Sequence, residues 1–284
     1  MRLRIGDRTV HLDHPAVMGI LNVTPDSFSD GGRFLALDDA LSQAEKMAAA
    51  GADIIDVGGE STRPGARRVP PEEEIDRVLP VIEAVKRELD ILVSIDTTKD
   101  RVARLAVIEG GADIINDISG LRFSEGMAAT AAELNVPVVI MHIQGTPEKM
   151  QENPYYSDVI AELKAYFLER VQFALASGIR RGNIIIDPGI GFGKRLQDNI
   201  DIVKNLREFR SLGCPVLIGV SRKSFLGKIS GESVPRQRDV ETAAAQIVAL
   251  IHGASILRVH DVVAAVKGIR ILKALVELEP ASFE

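Results

Sequence analysis

Short runs of β-branched residues recur along the chain, each bounded by glycine, proline or acidic residues and followed by a segment with apolar positions at helical spacing. The stretch from Gly182 to Phe192 shows the unit. Ile184, Ile185 and Ile186 stand in a row, which predicts a short strand buried on both faces. Asp187 sits where that strand must stop, and Pro188 with Gly189, Gly191 and Gly193 forbids regular structure beyond it. A carboxylate at a buried strand end, followed by a loop able to wrap a ligand, is how a site is built.

The same pattern predicts strands at 16–23, 54–59, 91–95, 114–118, 136–141, 184–186, 215–220 and 256–259. Helices are predicted between them at 38–51, 70–89, 100–109, 124–134, 156–177, 199–211 and 239–252, with a last one opened by His260-Asp261 and running to about 278. Residues 2–13 alternate (Leu3, Ile5, Val10, Leu12) around Gly6-Asp7, the pattern of a small hairpin that could plug the bottom of a barrel. One internal echo binds these elements into a single architecture. Gly51-Ala52-Asp53-Ile54-Ile55, Gly111-Ala112-Asp113-Ile114-Ile115 and Gly253-Ala254-Ser255-Ile256-Leu257 are the same helix stop and strand start. Asp56, Asn116 and Arg258 occupy the same offset from each, so strand alternation points them the same way. Eight strand–helix units predict an α/β fold of the (β/α)8 TIM-barrel type with a short N-terminal β-hairpin; a doubly wound open sheet is the alternative. No linker or low-complexity stretch divides the chain, so residues 1–284 are expected to form one domain.

Composition narrows the partners. The chain is 46% hydrophobic with a mean hydropathy of +0.10, enough apolar material for a sizeable core. A formal net charge of -6 and a pI near 5.5 argue against a nucleic-acid or anionic-membrane binder. Cys214 is the single cysteine, so no disulfide or thiolate cluster is available. The N-terminus lacks the apolar core of a signal peptide, and no apolar run approaches the ~18 residues needed to span a bilayer. A soluble, cytoplasmic protein is expected.

In such a barrel the C-terminal strand ends share one mouth. Collected there are Asn22, Asp96, Asn116, Asp187, Lys223, Arg258 and His260, with loops 24–32 and 60–66 over them. Each alone is as readily a turn former, a helix cap or half of an ion pair. Together, two carboxylates and an amide complement a planar heterocycle with an amino group, ring N–H groups and a carbonyl, such as a 2-amino-4-oxo pyrimidine. Lys223 could donate to that carbonyl or a ring nitrogen, and Arg258 could lie against the ring while its edge holds an anion. Arg63, Arg258, His260 and the helix starting near Ser224 form an anion-loving cluster. Asn22 could offer a neutral oxygen to a Mg²⁺ otherwise held by substrate phosphates and water. Gly189 to Lys194 lacks the spacing of either nucleotide fingerprint; its glycines let the backbone approach a flat ligand, with Phe192 as one wall. His11 and His14 read as surface residues, His252 as packed against the barrel and Cys214 as inert, while His142 is either structural or site-lining.

Six motifs carry a resemblance: Gly19 through Gly31 (Gly-Ile-Leu-Asn-Val-Thr-Pro-Asp-Ser-Phe-Ser-Asp-Gly), Gly59 to Gly65 (Gly-Glu-Ser-Thr-Arg-Pro-Gly), Ser94-Ile95-Asp96-Thr97, Asn116-Asp117-Ile118-Ser119, Asp187 to Lys194, and Ser221-Arg222-Lys223-Ser224. In that order, over nearly the whole chain, they resemble the dihydropteroate synthase family. The resemblance implies condensation of 6-hydroxymethyl-7,8-dihydropterin pyrophosphate with p-aminobenzoate, through an SN1-like pterin cation, to give dihydropteroate and pyrophosphate in folate biosynthesis. By that similarity Asp96, Asn116, Asp187 and Lys223 bind the pterin, with Met141, Phe192 and Arg258 around it. Arg258 and His260 take the pyrophosphate, together with Asn22 and its Mg²⁺. Thr62, Arg63, Pro64, Phe28, Asp30 and Ser224 form the p-aminobenzoate pocket, bordered by Phe192 and Lys223, where sulfonamides compete. Asp96, Asp187, Lys223, Arg63 and Asp30 are the residues it implies for catalysis, and the family is typically a homodimer. Two rivals share the pterin acceptors. A relative that moves a methyl group from methyltetrahydrofolate to a corrinoid protein has no use for Ser61 to Gly65 or the anion cluster, and a catalytically silent pterin-binding paralogue has no need of two substrate pockets.

Overall fold

The computed structural model describes residues 1–24, 32–62 and 68–276, with side chains in the first helix from Leu37 onward. β1 (Arg2–Ile5) and β2 (Arg8–His11) pair antiparallel as the expected hairpin. Leu3, Ile5 and Leu12 turn into the core, and Arg8 forms an ion pair with the buried Asp113. Gly6 exchanges bonds with Asn135: its N–H donates to the Asn135 carbonyl (3.0 Å) and its carbonyl accepts from the Asn135 side-chain amide (2.8 Å). Asp113 and Asn135 both precede strands, so the hairpin closes the N-terminal end of the barrel, away from the site.

The barrel itself runs β3 (Ala16–Asn22), α1 (Gly32–Ala49), β4 (Ile54–Gly58), α2 (Pro71–Glu88), β5 (Leu92–Asp96), α3 (Asp100–Ile108), β6 (Ile114–Asp117), α4 (Met127–Leu134) and β7 (Val138–Met141). It continues through α5 (Val159–Ala176), β8 (Ile184–Asp187), α6 (Leu196–Lys204), β9 (Leu217–Ile218), α7 (Ser224–Ser230), α8 (Asp239–Ile251), β10 (Ile256–Val259) and α9 (Val262–Leu275). The eight strands are all parallel, in the order β8-β7-β6-β5-β4-β3-β10-β9. A bridge between Ile186 and Val216 returns the last to the first. That closure rules out the open sheet. It also buries every strand on both faces, as the isoleucine runs required: Ile54, Ile55, Ile114, Ile115, Ile184, Ile185 and Ile186 have no exposed surface.

The Gly-Ala-Asp echo proves to be a clasp between strands. Asp53, Asp113 and Ser255 each stand just before a strand and exchange two bonds with the strand preceding it. Their N–H groups donate to the carbonyls of Val17, Val93 and Val216 (2.9, 2.7 and 2.8 Å). Their side-chain oxygens accept from the N–H groups of the same three residues (2.8, 2.9 and 3.4 Å). The glycine two residues before each one has a φ of +96°, +80° or +100°, the left-handed turn that ends the helix. Side chain and main chain together fix the register on which the site depends.

Most boundaries fall within about three residues of expectation, and three elements depart in kind or by more. α1 begins at Gly32, six residues early. The predicted helix 199–211 breaks at Asn205 into α6 and a 3₁₀ segment, Leu206–Leu212. The seventh strand shortens to Leu217–Ile218 because Pro215 has no N–H for the ladder. Among the described residues no helix is long and apolar enough to cross a membrane.

Candidate active site

Register carries the polar residues to one end of the barrel. Asn22, Gly58 and Asp96 lie side by side across β3, β4 and β5, and Asp96 pairs with Asn116 of β6. A β-carbon at Gly58 would stand 3.7 Å from Asn22 Oδ1 and 3.5 Å from Asp96 Cβ, so glycine there keeps the gap between them open.

One layer below, Asp56 is the hub. It has no exposed surface. Its Oδ2 accepts from Arg258 Nε (2.6 Å) and from Asn116 Nδ2 (3.1 Å), so the three residues at the shared offset do converge. Arg258 Nη2 reaches on to Asp96 Oδ2 at 2.7 Å. The edge of Arg258 is thus engaged by two carboxylates, not offered whole to an anion. Asp56 Oδ1 is buried without a protein partner among the described residues. The sequence reading did not count Asp56 among the site residues; its place in the echo was the signal.

Burial governs the charges. Asp96 is pushed up to about 7 by burial, with the Asp56 charge adding and the Arg258 charge opposing. Asp187, 6% exposed, is raised to about 6 by burial against the Gly189 N–H and the charges of Lys223, Arg258 and Lys194. Lys223 is lowered to about 8, again by burial first and then by the Arg258 charge. The mouth therefore holds carboxylates and a lysine poised to change protonation within a narrow span around neutrality, a mark of functional sites.

The glycine-rich loop is built backbone against backbone. Asp187 Oδ1 accepts from Gly189 N–H at 2.7 Å. At Gly189, where φ is +67°, a β-carbon would stand 2.0 Å from the His142 carbonyl oxygen, so only glycine fits. Phe192 packs with Ile118, Met141, Ile143 and Met150 in an apolar wall, and Lys223 Nζ sits 4.2 Å over its ring centroid. A residue missed in the sequence braces this wall. Lys194, 4% exposed, donates to the Phe192 carbonyl (3.1 Å) and lies 3.0 Å from His142 Nδ1. Burial lowers Lys194 to about 7 and His142 to about 2, so His142 stands neutral beside the lysine. His142 is structural: it supports the loop from behind.

Around the rim, Lys99 forms ion pairs with both Glu60 and the fully buried Glu74. Glu60 also accepts from Val69 N–H (3.3 Å), so one carboxylate ties both ends of the loop that follows β4. Arg68 reaches Glu148 across the mouth at 2.7 Å. Beneath lies a cavity of about 260 Å³ that touches Thr62, Asp96 and Ile118. Ser224 opens α7, with Lys223 as its N-cap. Of the residues expected for the second pocket, Thr62 and Ser224 are placed at this rim, while Phe28, Asp30, Arg63 and Pro64 lie outside the described residues. His14, expected on the surface, is exposed and pairs with Asp53, and Cys214 is buried.

Fold and site define a ligand-binding barrel with a heterocycle-sized polar mouth, and residues 18–260 match the family described as pterin binding enzyme. The dihydropteroate synthase of Synechocystis sp. is 48% identical over 259 residues, covering 91% of this chain and 89% of that one. The structure of Xanthomonas albilineans dihydropteroate synthase with 4-aminobenzoic acid superposes with a TM-score of 0.90 at 44% identity, over 96% of this chain and 97% of that one. The same organism's enzyme in complex with 7,8-dihydropteroate gives a TM-score of 0.87 at 42% identity, over 97% and 98%. The chain belongs to the pterin-binding enzyme family, in its dihydropteroate synthase branch.

Proposed function

We propose that this protein is a dihydropteroate synthase, joining 6-hydroxymethyl-7,8-dihydropterin pyrophosphate to p-aminobenzoate with release of pyrophosphate. The observation that carries the reading is the set of buried Asn116 and Asp187 with half-buried Asp96, Lys223 and Arg258 at one mouth of the barrel, walled by Met141 and Phe192. In this reading Asp96 and Asp187 accept from the amino and ring N–H groups of the pterin, and Asn116 uses its amide on the same edge. As pyrophosphate departs, positive charge grows on the pterin methylene, and two carboxylates fixed beside an electron-poor ring stabilise it without reorganising. His260 and the part of the Arg258 guanidinium not engaged by Asp56 and Asp96 bind the departing anion. The arylamine attacks while neutral, so no strong general base is required. Thr62, Arg63, Pro64, Phe28, Asp30 and Ser224 form its pocket, sulfonamides compete there, and the loops that carry most of them exclude water that would trap the cation.

Mg²⁺ belongs to the same reading. Asn22 is exposed at the end of β3, its Oδ1 facing the gap at Gly58. Among the described residues no group of three or more His, Cys, Asp or Glu could hold a metal. One neutral oxygen suits an ion held mainly by substrate phosphates and water. When bound, the metal supplies charge neutralisation on the departing pyrophosphate. The reading extends to one continuous domain, a cytoplasmic enzyme and a homodimer. For the dimer, α8 and α9 expose Val240, Val248, Val263, Ile271 and Leu275, an apolar face that a second copy would cover; sedimentation at the monomer mass would count against it.

The direct experiment is pyrophosphate release from the pterin pyrophosphate with Mg²⁺, with and without p-aminobenzoate. Release coupled to dihydropteroate formation is expected. Pterin binding without product would favour the silent paralogue, and no pterin binding would overturn the pocket itself.

A pH dependence follows from the charges. Asp96 and Asp187 must be ionised to accept, and their values near 7 and 6 mean protons leave when pterin binds below that range. Affinity should therefore rise as the pH climbs through 6 to 7. It should fall again above about 8, where Lys223 loses its charge. Calorimetry in two buffers of different ionisation enthalpy reads both the bell and the released protons; a flat profile would show that these groups do not face the ligand.

A further inference from the structure

β9 and β10 are neighbours, and the residues after them meet. Ser221, 6% exposed, accepts from the backbone N–H of His260 at 3.2 Å, and its Oγ lies 3.0 Å from Nδ1 of the same histidine. A hydroxyl has one hydrogen and two lone pairs. If Nδ1 carried a proton, both donors would point at Oγ and the Ser221 hydrogen would need another acceptor. Among the described residues the only hydrogen-bond partner of the Ser221 side chain is His260. A buried hydroxyl hydrogen left unpaired is costly, so it points to Nδ1 and the imidazole proton resides on Nε2.

The turn that aims Ser221 is itself held under constraint. Arg222 has a φ of +58°, left-handed and unusual for a non-glycine residue. It is pinned there on every side. Its N–H donates to Thr242 Oγ1 (3.0 Å), its guanidinium Nε to Asp239 (2.8 Å), and its carbonyl accepts from Arg238 Nη1 (3.1 Å). Strain of this kind persists where surrounding structure over-determines it. Here it sends Ser221 toward β10 and leaves Lys223 to the mouth.

We propose that Ser221 is a positioning residue that fixes His260 in the Nε2–H tautomer, making the neutral imidazole a hydrogen-bond donor to the pyrophosphate group. The identity of the anion rests on the synthase reading; the tautomer does not. A neutral donor binds the anion without first acquiring a proton, and it releases it more readily than an imidazolium would.

Long-range ¹H–¹⁵N spectra of protein labelled with ¹⁵N-histidine test this directly, since the chain has five histidines and a His260→Gln variant assigns the signal. His260 should appear as the Nε2–H form in the free protein. Ser221→Ala should give mixed tautomers and an affinity for inorganic pyrophosphate weakened by the reciprocal of the Nε2–H fraction, about twofold for an even mixture. Ser221→Thr, which keeps the hydroxyl, should restore both, and all variants should bind a pterin lacking the pyrophosphate alike. An Nδ1–H signal in the unmodified protein, or an unchanged tautomer in Ser221→Ala, overturns the proposal. No pyrophosphate binding to the unmodified protein, with the Nε2–H form intact, overturns the synthase reading of the anion site and leaves the tautomer standing.

Discussion

Asp187→Asn should weaken pterin binding by roughly 30- to 100-fold while leaving the fold intact. An ionised acceptor contributes about 1.5–3 kcal/mol per hydrogen bond, and about 1.4 kcal/mol is tenfold in affinity. The substitution is a clean test because the amide keeps an oxygen for the Gly189 N–H, which Asp187 Oδ1 now accepts at 2.7 Å. The loop that carries Phe192 therefore keeps its anchor. Stability should move the other way. Burial raises Asp187 to about 6, so its ionised form opposes folding: the penalty is absent at pH values below the unfolded carboxylate range and complete above about 6. A neutral amide removes a penalty on the order of 3 kcal/mol at pH 8 and little at pH 4. Calorimetric titration with a pterin and thermal unfolding at both pH values would read the two effects. Near-normal affinity would remove Asp187 from the pocket. A lower melting temperature at pH 8 would mean the carboxylate serves the fold and not the ligand.

The trade of stability for binding marks what could be read from the sequence. Strand existence and the location of the mouth follow from local patterns: isoleucine runs, left-handed glycines and polar residues at strand ends. The shared offset of Asp56, Asn116 and Arg258 even foretold a common direction. Their contact was not legible, because Asp56 and Arg258 are 202 residues apart and meet only once β10 has paired with β3. Register across a closure is a property of the whole sheet, and no window of sequence contains it. Lys194 was missed for a related reason. A lysine after a glycine-rich loop reads as solvent-facing or phosphate-facing, and nothing local says that His142 and the Phe192 carbonyl will enclose it. Lys99 and Glu60 were hidden in the same way, each an ordinary surface type until α2 brings Glu74 beneath them.

The hub gives the larger structural prediction. Asp56→Ala should destabilise the protein by about 3 kcal/mol, because it removes one of the two carboxylates that hold the half-buried Arg258 guanidinium and frees the Asn116 amide. At this chain length that corresponds to a fall in melting temperature of about 10 °C. Pterin binding should be lost with it, since Arg258 would turn to Asp96 alone and cancel an acceptor that the pterin needs. Loss of binding in an unstable variant proves little by itself, so the double variant decides. Arg258→Met in the Asp56→Ala background removes the guanidinium charge and should recover about 2 kcal/mol or more relative to the sum of the single changes. Pterin affinity should stay low, because the charge that holds Asp96 ionised is gone. Denaturant unfolding and calorimetry on the four proteins of the cycle measure both quantities. Additive stabilities would mean that Asp56 and Arg258 are not one unit. Recovered binding in the double variant would mean that Arg258 serves the barrel and that the heterocycle is held by Asp187, Asn116 and Lys223 without it.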